Sequence, residues 1–310
     1  MISAAVLFFV FSSFSLHTLR NLDASAVLER GNESNGLFKE ATGKTENPDD
    51  FFAPHNPNKQ LAVINSPKEA QGTKIWVHDP TECKYISKNL LIQHGWEPQL
   101  QSALIANMPA KGRFVDIGGN IGAFSLVMAA AGYQVEAFEP MPYNHELFSE
   151  SIRINGFEDR VKLHKVAVGD TPIDEVCLTA AYAGSPKVNQ GNGQIDPKGR
   201  KAEGSVCVPL IRPDSVVSEC PDGLKVDVEG WEVPAMRGLG LGDGGNCRPQ
   251  VVVHEHLAIY AKEDPFAFLG NEYACRHEGE GQAVTMTAEG KKKDGNYICI
   301  LQTQTTAETA

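Results

Sequence analysis

The sequence predicts an α/β domain: a doubly wound, mostly parallel sheet with helices on both faces and an antiparallel C-terminal strand. Three observations carry this. Short apolar runs alternate with helical segments from Arg113 onward, the pattern of strands joined by crossover helices. A glycine-rich turn, residues 118–122 (GGNIG), sits between the first such strand and the first such helix. The last segments read as strands with no helix between them.

Each element follows from local pattern. Leu90 to Met108 has apolar residues at helical spacing and is closed by Pro109-Ala110-Lys111-Gly112. Arg113–Ile117 is a strand, Ala123–Ala131 a helix, Gln134–Phe138 a strand and Pro142–Asn155 a helix. Val161–Val168 and Glu175–Thr179 follow as strands. The stretch from Ala181 to about Gly204 holds five glycines and two prolines, a loop of the length that tends to carry function. Strand Leu224–Val228, helix Pro234–Gly238 and strand Gln250–His254 continue the alternation. Asn271–His277, Ala283–Thr287 and Tyr297–Leu301 complete the strands.

The ends of the chain read differently. Ile2 to Leu16 (ISAAVLFFVFSSFSL) is uncharged, apolar and shorter than a usual membrane span, and Ala24-Ser25-Ala26 offers a small-x-small cleavage site. Residues 1–26 are therefore expected to be a signal peptide or an uncleaved signal-anchor. Residues 27–73 are rich in Asn, Pro, Gly, Lys and Glu and are expected to form a flexible stem. The folded domain is assigned to 74–302 and a tail to 303–310. This organisation predicts the secretory pathway, in the Golgi or endoplasmic-reticulum lumen or secreted, with an N-terminal membrane anchor as the alternative. Asn32-Glu33-Ser34 is a glycosylation sequon.

Composition narrows the partners. With 28 Lys and Arg against 39 Asp and Glu, the 310-residue chain has a net charge of −11. A nucleic-acid partner would want a basic face, and the only short basic run is Lys291 to Lys293. Seven cysteines show no CxxC spacing, so no zinc knuckle is expected. In an oxidising compartment an odd count leaves at least one thiol, and Cys299, inside YICIL, reads as a small core residue. Oligomeric state is not set by any feature of the sequence.

The glycine turn points to a ligand. In a doubly wound sheet, ligands sit over the carboxyl ends of the strands, where the first strand-to-helix turn must let a ligand come close to the backbone. Here the turn reads Asp116-x-Gly118-x-Asn120-x-Gly122, not G-x-G-x-x-G. A carboxylate there disfavours a pyrophosphate and suits a ligand with an ammonium group, such as the amino acid end of S-adenosylmethionine. Glu139 ends the second strand 23 residues beyond Asp116. It can accept ribose hydroxyls in a charge-assisted contact. The bland alternatives are a helix-capping Asp116 and an exposed Glu139.

The set FVDIGGNIGAFSL, FEPMPYNHELFSESIRING, VAVGD, LKVDVEGWEVPAMRGL and VVVHEH resembles the FkbM family of S-adenosylmethionine-dependent methyltransferases. The likeness runs from about Gly95 to Leu301, with GWEPQLQSAL before the first strand also similar; KVDVEGWE is its most specific phrase. The resemblance implies a Rossmann-like class I methyltransferase fold and S-adenosylmethionine as cofactor. It also implies O-methylation, since members methylate hydroxyls of sugars, lipid-linked saccharides and polyketides. Pro234 departs from the aliphatic residue usual at its place.

Methyl transfer to a hydroxyl needs a group to take the proton. Asp227 and Glu229, two residues apart at a strand end, would face the same side. Asp227 is assigned as the base, and Glu229 as the cap of the following helix or as the base in its place. In His254-Glu255-His256 both imidazoles fall on one side of the strand. The motif reads as structural or as a functional site in which His256 is a substrate contact or alternate base; an HxH pair can also bind a metal, but no third ligand is identifiable, so no metal is assigned. Asp170 is a candidate for the adenine amino group, with a turn aspartate as the competing reading. Trp96 and Trp231 are candidates for stacking on a sugar or for core packing. A non-catalytic nucleoside-binding module of the same fold, and a nicotinamide-dependent oxidoreductase, are the competing functions.

Overall fold

The computed structural model describes residues 58–81, 83, 85–179, 194–195, 205–258, 261–278 and 293–302. The signal or anchor segment, most of the expected stem, nearly all of the 181–204 loop, the Ala283–Thr287 strand and the tail lie outside them. Among the described residues no helix is long and apolar enough to cross a membrane.

The chain opens with a hairpin of β1 (Gln60–Ile64) and β2 (Thr73–Val77), paired antiparallel. Ala62, Ile64, Ala70, Ile75 and Val77 from this hairpin are buried in the main core. The expected stem therefore ends before residue 60: the alternating apolar residues of QLAVI are packed. Helices α1 (Ile86–Gln93) and α2 (Pro98–Asn107) follow. The sequence suggests one helix here. Gly95 and Pro98 break it, and His94 and Glu97 both take left-handed backbone conformations between the two pieces (φ 57° and 46°).

The alternating region then runs β3 (Arg113–Ile117), α3 (Ala123–Ala130), β4 (Gln134–Phe138), α4 (Pro142–Ile154) and β5 (Val161–His164). Beyond them lie β6 (Ala167–Val168), β7 (Ile173–Thr179), β8 (Gln194–Ile195), β9 (Val206–Ile211) and β10 (Gly223–Val226). The last elements are α5 (Glu232–Gly238), β11 (Val251–His256), α6 (Pro265–Leu269), β12 (Tyr273–His277) and β13 (Gly295–Leu301).

The main sheet has seven strands in the order β12-β13-β11-β10-β3-β4-β5. β5, β4, β3, β10 and β11 are parallel, and β13 and β12 are antiparallel. The order reverses between β3 and β10, so their carboxyl ends open the crevice where such sheets bind ligands. α3 is apolar on all sides and seven of its eight residues are buried, as expected of a helix enclosed by core. Leu126, Val127 and Met128 are fully buried, each worth about 1.5–3 kcal/mol.

A second sheet, β6-β9-β7-β8, is separate from the first. The single strand expected over 161–168 divides between the two sheets, and β9 was not anticipated. Cys177 and Cys207 face each other across β7 and β9 and form a disulfide, as do Cys275 and Cys299 across β12 and β13. A third joins Cys220 to Cys247. Cys299 is thus buried as expected, but as half of a cross-strand bridge, a pairing that needs the register and not the local sequence. Cys83 is the remaining thiol and is buried.

Candidate active site

A cavity of about 320 Å³ lies at the carboxyl ends of β3, β4 and β10. Gly118, Asn120, Glu139, Asp227 and Glu229 line it, so the sequence motifs converge. Trp96, Glu97, Trp231 and Glu255 share the wall.

The glycine turn is built on backbone proximity. The Gly118 and Gly119 N–H groups both donate to the Phe138 carbonyl at 3.0 Å. Gly118 has φ +81°, and a Cβ there would stand 1.9 Å from the Asp227 carbonyl oxygen. Gly122, at φ +92°, lies against the Phe148 ring, 2.4 Å from where a Cβ would be. Gly122 thus packs the turn onto α4 and does not line the cavity, whereas Gly118 brings β3 and β10 together at the cavity wall.

Glu139 is 4% exposed. Its carboxylate accepts the Asn120 N–H (2.8 Å), the Met141 N–H (2.8 Å) and the Asn144 amide (3.3 Å). Burial pushes its pKa up to about 7 against those three donors. A carboxylate has about four acceptor sites, so Oε2, which holds one partner, has room for a ribose hydroxyl. Phe138, Met141, Val166 and Val168 give the same part of the cavity apolar walls. These residues fit S-adenosylmethionine: an acid at the second strand end, an apolar slot, and a turn with no side chain in the way. Replacing Glu139 with Ala is expected to weaken S-adenosylhomocysteine binding by about 1.5–3 kcal/mol, the scale of hydrogen bonds to a charged group. Calorimetric titration reads this, and unchanged affinity would remove Glu139 from the site.

Besides Gly122, two cofactor candidates are placed elsewhere. Asp116 is fully buried beneath the turn and does not line the cavity. Ser125 Oγ donates to it at 2.7 Å, and Lys225 Nζ stands 3.7 Å away. Burial raises the Asp116 pKa, with Lys225 and Ser125 opposing. The ammonium partner inferred from sequence is thus replaced by the chain's own Lys225. Asp170 lies outside the cavity wall and is held by Arg237 at 2.7 Å. Its carboxylate is engaged by that ion pair, away from the cavity wall.

Nothing in the local sequence marks Lys225, although it stands inside KVDVEGWE. It is 6% exposed, donates to the Gly118 carbonyl at 2.7 Å and lies 3.3 Å from Asp227 Oδ2. Burial alone would lower its pKa, but Asp227, Asp116 and Glu97 more than offset this and hold it protonated. One lysine therefore ties the glycine turn, the buried acid and the candidate base together.

The acids around Asp227 titrate unusually. Glu97 lies between α1 and α2, and Asn296 donates to it at 2.9 Å. Burial, then the Asp227 charge, pushes its pKa up to about 7. Burial first, and then the charges of Asp227 and Glu229, push the Glu255 pKa well above the usual carboxylate range, which favours a proton within this group of acids. Oxygens of Asp227, Glu229 and Glu255 lie within 4.8 Å of one another, a spacing that could hold a divalent cation. His254 also lies near Cys275 and Cys299, but those sulfurs are bonded to each other.

The alternation along β11 holds, but the other face meets the cavity. Glu255 lines it, whereas His254 and His256 are buried against Phe266 and Tyr297. His256 is therefore a core residue, not a substrate contact. Glu229 faces the cavity with φ 55°. The helix-start role expected of it belongs to Glu232, which accepts the Val228 and Gly230 N–H groups at 3.2 and 3.0 Å.

A doubly wound sheet with an antiparallel end, a glycine turn and an acid at the second strand define a class I S-adenosylmethionine-dependent methyltransferase. The family described as Methyltransferase FkbM domain matches residues 116–273. The chain belongs to the FkbM methyltransferase family, and S-adenosylmethionine is its cofactor. Methyltransferase sdnD of Sordaria araneosa is 27% identical over 211 residues, covering 58% of this chain and 78% of that protein. Among solved structures, a putative O-methyltransferase from Klebsiella pneumoniae aligns with a TM-score of 0.36 at 13% identity, over 66% of this chain and 79% of its own. Cofactor-bound Rv0187 from MTB aligns with a TM-score of 0.36 at 14% identity, over 72% and 85%.

Proposed function

We propose that this methyltransferase methylates a hydroxyl oxygen of a glycan or small metabolite, with Asp227 as the base. One observation carries the reading: Asp227 lines the cavity at the end of β10 while Lys225 Nζ holds its carboxylate at 3.3 Å. S-adenosylmethionine, when bound, supplies an already activated methyl group. What remains for the protein is alignment, exclusion of water and removal of one proton. Trp96, Trp231 and Tyr85 offer aromatic faces along the cavity, suited to a sugar ring or another flat apolar face. Asp227 would accept the hydroxyl proton as the oxygen takes the methyl group and the donor's sulfur–methyl bond breaks, leaving S-adenosylhomocysteine. The raised pKa of Glu255 favours a proton within the group of acids around Asp227.

Glu97 supports a second reading of the base, because a pKa near the working pH suits proton transfer and Glu97 lines the same cavity. A screen of sugars, phenols, alcohols and amines with labelled donor tests the function. A labelled methyl ether is the expected product; label on nitrogen alone, or no turnover with any acceptor, would overturn the reading, the latter favouring the non-catalytic module.

We further place the protein in the lumen of the secretory pathway, soluble or anchored by its N-terminal segment. Three disulfides support this, since cytosolic proteins seldom keep them. Thiol trapping in cells is expected to label Cys83 alone after unfolding; seven reactive thiols would contradict the placement.

A further inference from the structure

The family match begins at residue 116, yet Lys59 and His78, which flank the β1–β2 hairpin, are linked through Asn144 to Glu139 in the cavity wall. Lys59 Nζ lies 2.9 Å from His78 Nδ1, His78 Nε2 lies 2.7 Å from Asn144 Oδ1, and Asn144 Nδ2 donates to Glu139 Oε1 at 3.3 Å. His78 and Asn144 are 0% and 1% exposed. We propose that Lys59, His78 and Asn144 form a positioning chain that fixes the orientation of Glu139, making the N-terminal hairpin a working part of the cofactor site.

The direction of each bond follows from chemistry. A lysine ammonium has donors and no acceptor, so Nδ1 of His78 must accept. A neutral imidazole then carries its proton on Nε2 and donates it to Asn144 Oδ1. That fixes which end of the amide is oxygen, and the NH₂ end is left facing the Glu139 carboxylate. Burial lowers the His78 pKa to about 4, which keeps the ring neutral as the chain requires. The support is anchored. The Trp76 N–H donates to Ser151 Oγ at 2.8 Å, and Asn155 bonds both backbone groups of Lys74 at 2.9 and 2.6 Å. β2 is thereby stitched to α4, the helix that carries Asn144.

The chain rests on the ribose role of Glu139, so the test separates the two. S-adenosylhomocysteine affinity is measured on the full protein beside its melting temperature. His78→Leu is expected to weaken binding about three- to tenfold, the worth of one ordinary hydrogen bond. His78→Gln, whose amide can donate from the Nε2 position, should restore most of it. In a Glu139→Ala background, His78→Leu should have no further effect, which a purely structural role would not produce. Should His78→Leu fail to fold, Lys59→Met at the hairpin edge is the deciding variant, with a smaller loss in the same direction. Normal affinity in folded His78→Leu, or a loss that persists undiminished without Glu139, overturns the proposal alone. Unchanged affinity in Glu139→Ala by itself overturns the ribose role and the chain with it.

Discussion

Asp227→Asn is expected to lower turnover about 10²–10⁴-fold, the usual share of general-base catalysis, while S-adenosylhomocysteine affinity holds. The substitution keeps shape and removes the proton acceptor. Lys225 loses one carboxylate at 3.3 Å but keeps the Gly118 carbonyl at 2.7 Å and Asp116 at 3.7 Å. The glycine turn should therefore stay in place, and a fall in turnover can be read as chemistry.

Glu97→Gln is the necessary companion. A base must be ionised, so a catalytic Glu97 would make kcat/KM climb about tenfold per pH unit up to about pH 7 and level off above it. If that limb exists and disappears in Glu97→Gln, while Asp227→Asn turns over normally, the base is Glu97. Glu229→Gln should change stability little, because Glu232 and not Glu229 holds the start of α5. Loss of turnover in Glu229→Gln at full stability would instead move the base there. A chelator is expected to leave activity unchanged; loss restored by added divalent ion would mean that Asp227, Glu229 and Glu255 share a cation.

Gly118→Val should abolish both cofactor binding and turnover. Its Cβ would fall 1.9 Å from the Asp227 carbonyl oxygen and 3.0 Å from the Asp227 carbonyl carbon, backbone contacts that no side-chain rotation can relieve. The left-handed φ of +81° adds strain of about 1–3 kcal/mol, on top of the contact itself. Gly132 separates the two costs: it has φ +94° with nothing within 4 Å of a Cβ. Gly132→Ala should lower the melting temperature and leave S-adenosylhomocysteine binding intact. If Gly118→Val binds normally, the end of β10 can move away, and the turn does not shape the cavity.

Much of the fold was legible because parallel strands buried on both faces read as short apolar runs. β3 and β4 carry the bounds the sequence suggests, and α3, α4 and β11 differ by residues at their ends. The failures have a common cause. His94–Glu97 reads as helix because the apolar spacing continues across two residues that are left-handed in the fold. Residues 60–73 of the hairpin read as stem because five-residue strands give little signal until they are paired and packed.

What the sequence by itself determined is the family, the cofactor and the acids at strand ends. Those follow from residue type and spacing: glycines where φ is positive, Glu139 after the second strand, Asp227 and Glu229 after KV. What only the tertiary structure decided is which charges meet. Asp116 faces Lys225, 109 residues away, instead of the cavity; Asp170 faces Arg237; Glu255 and not His256 reaches the wall. Alternation along a strand says which residues share a side, but not which side is open. That depends on the elements packed on each face, here α6 and Tyr297 on the histidine side of β11. Burial does the rest: Glu97 and Glu255 look ordinary in sequence, but the fold removes water from around them and sets other carboxylates beside them, which raises both above the usual carboxylate range.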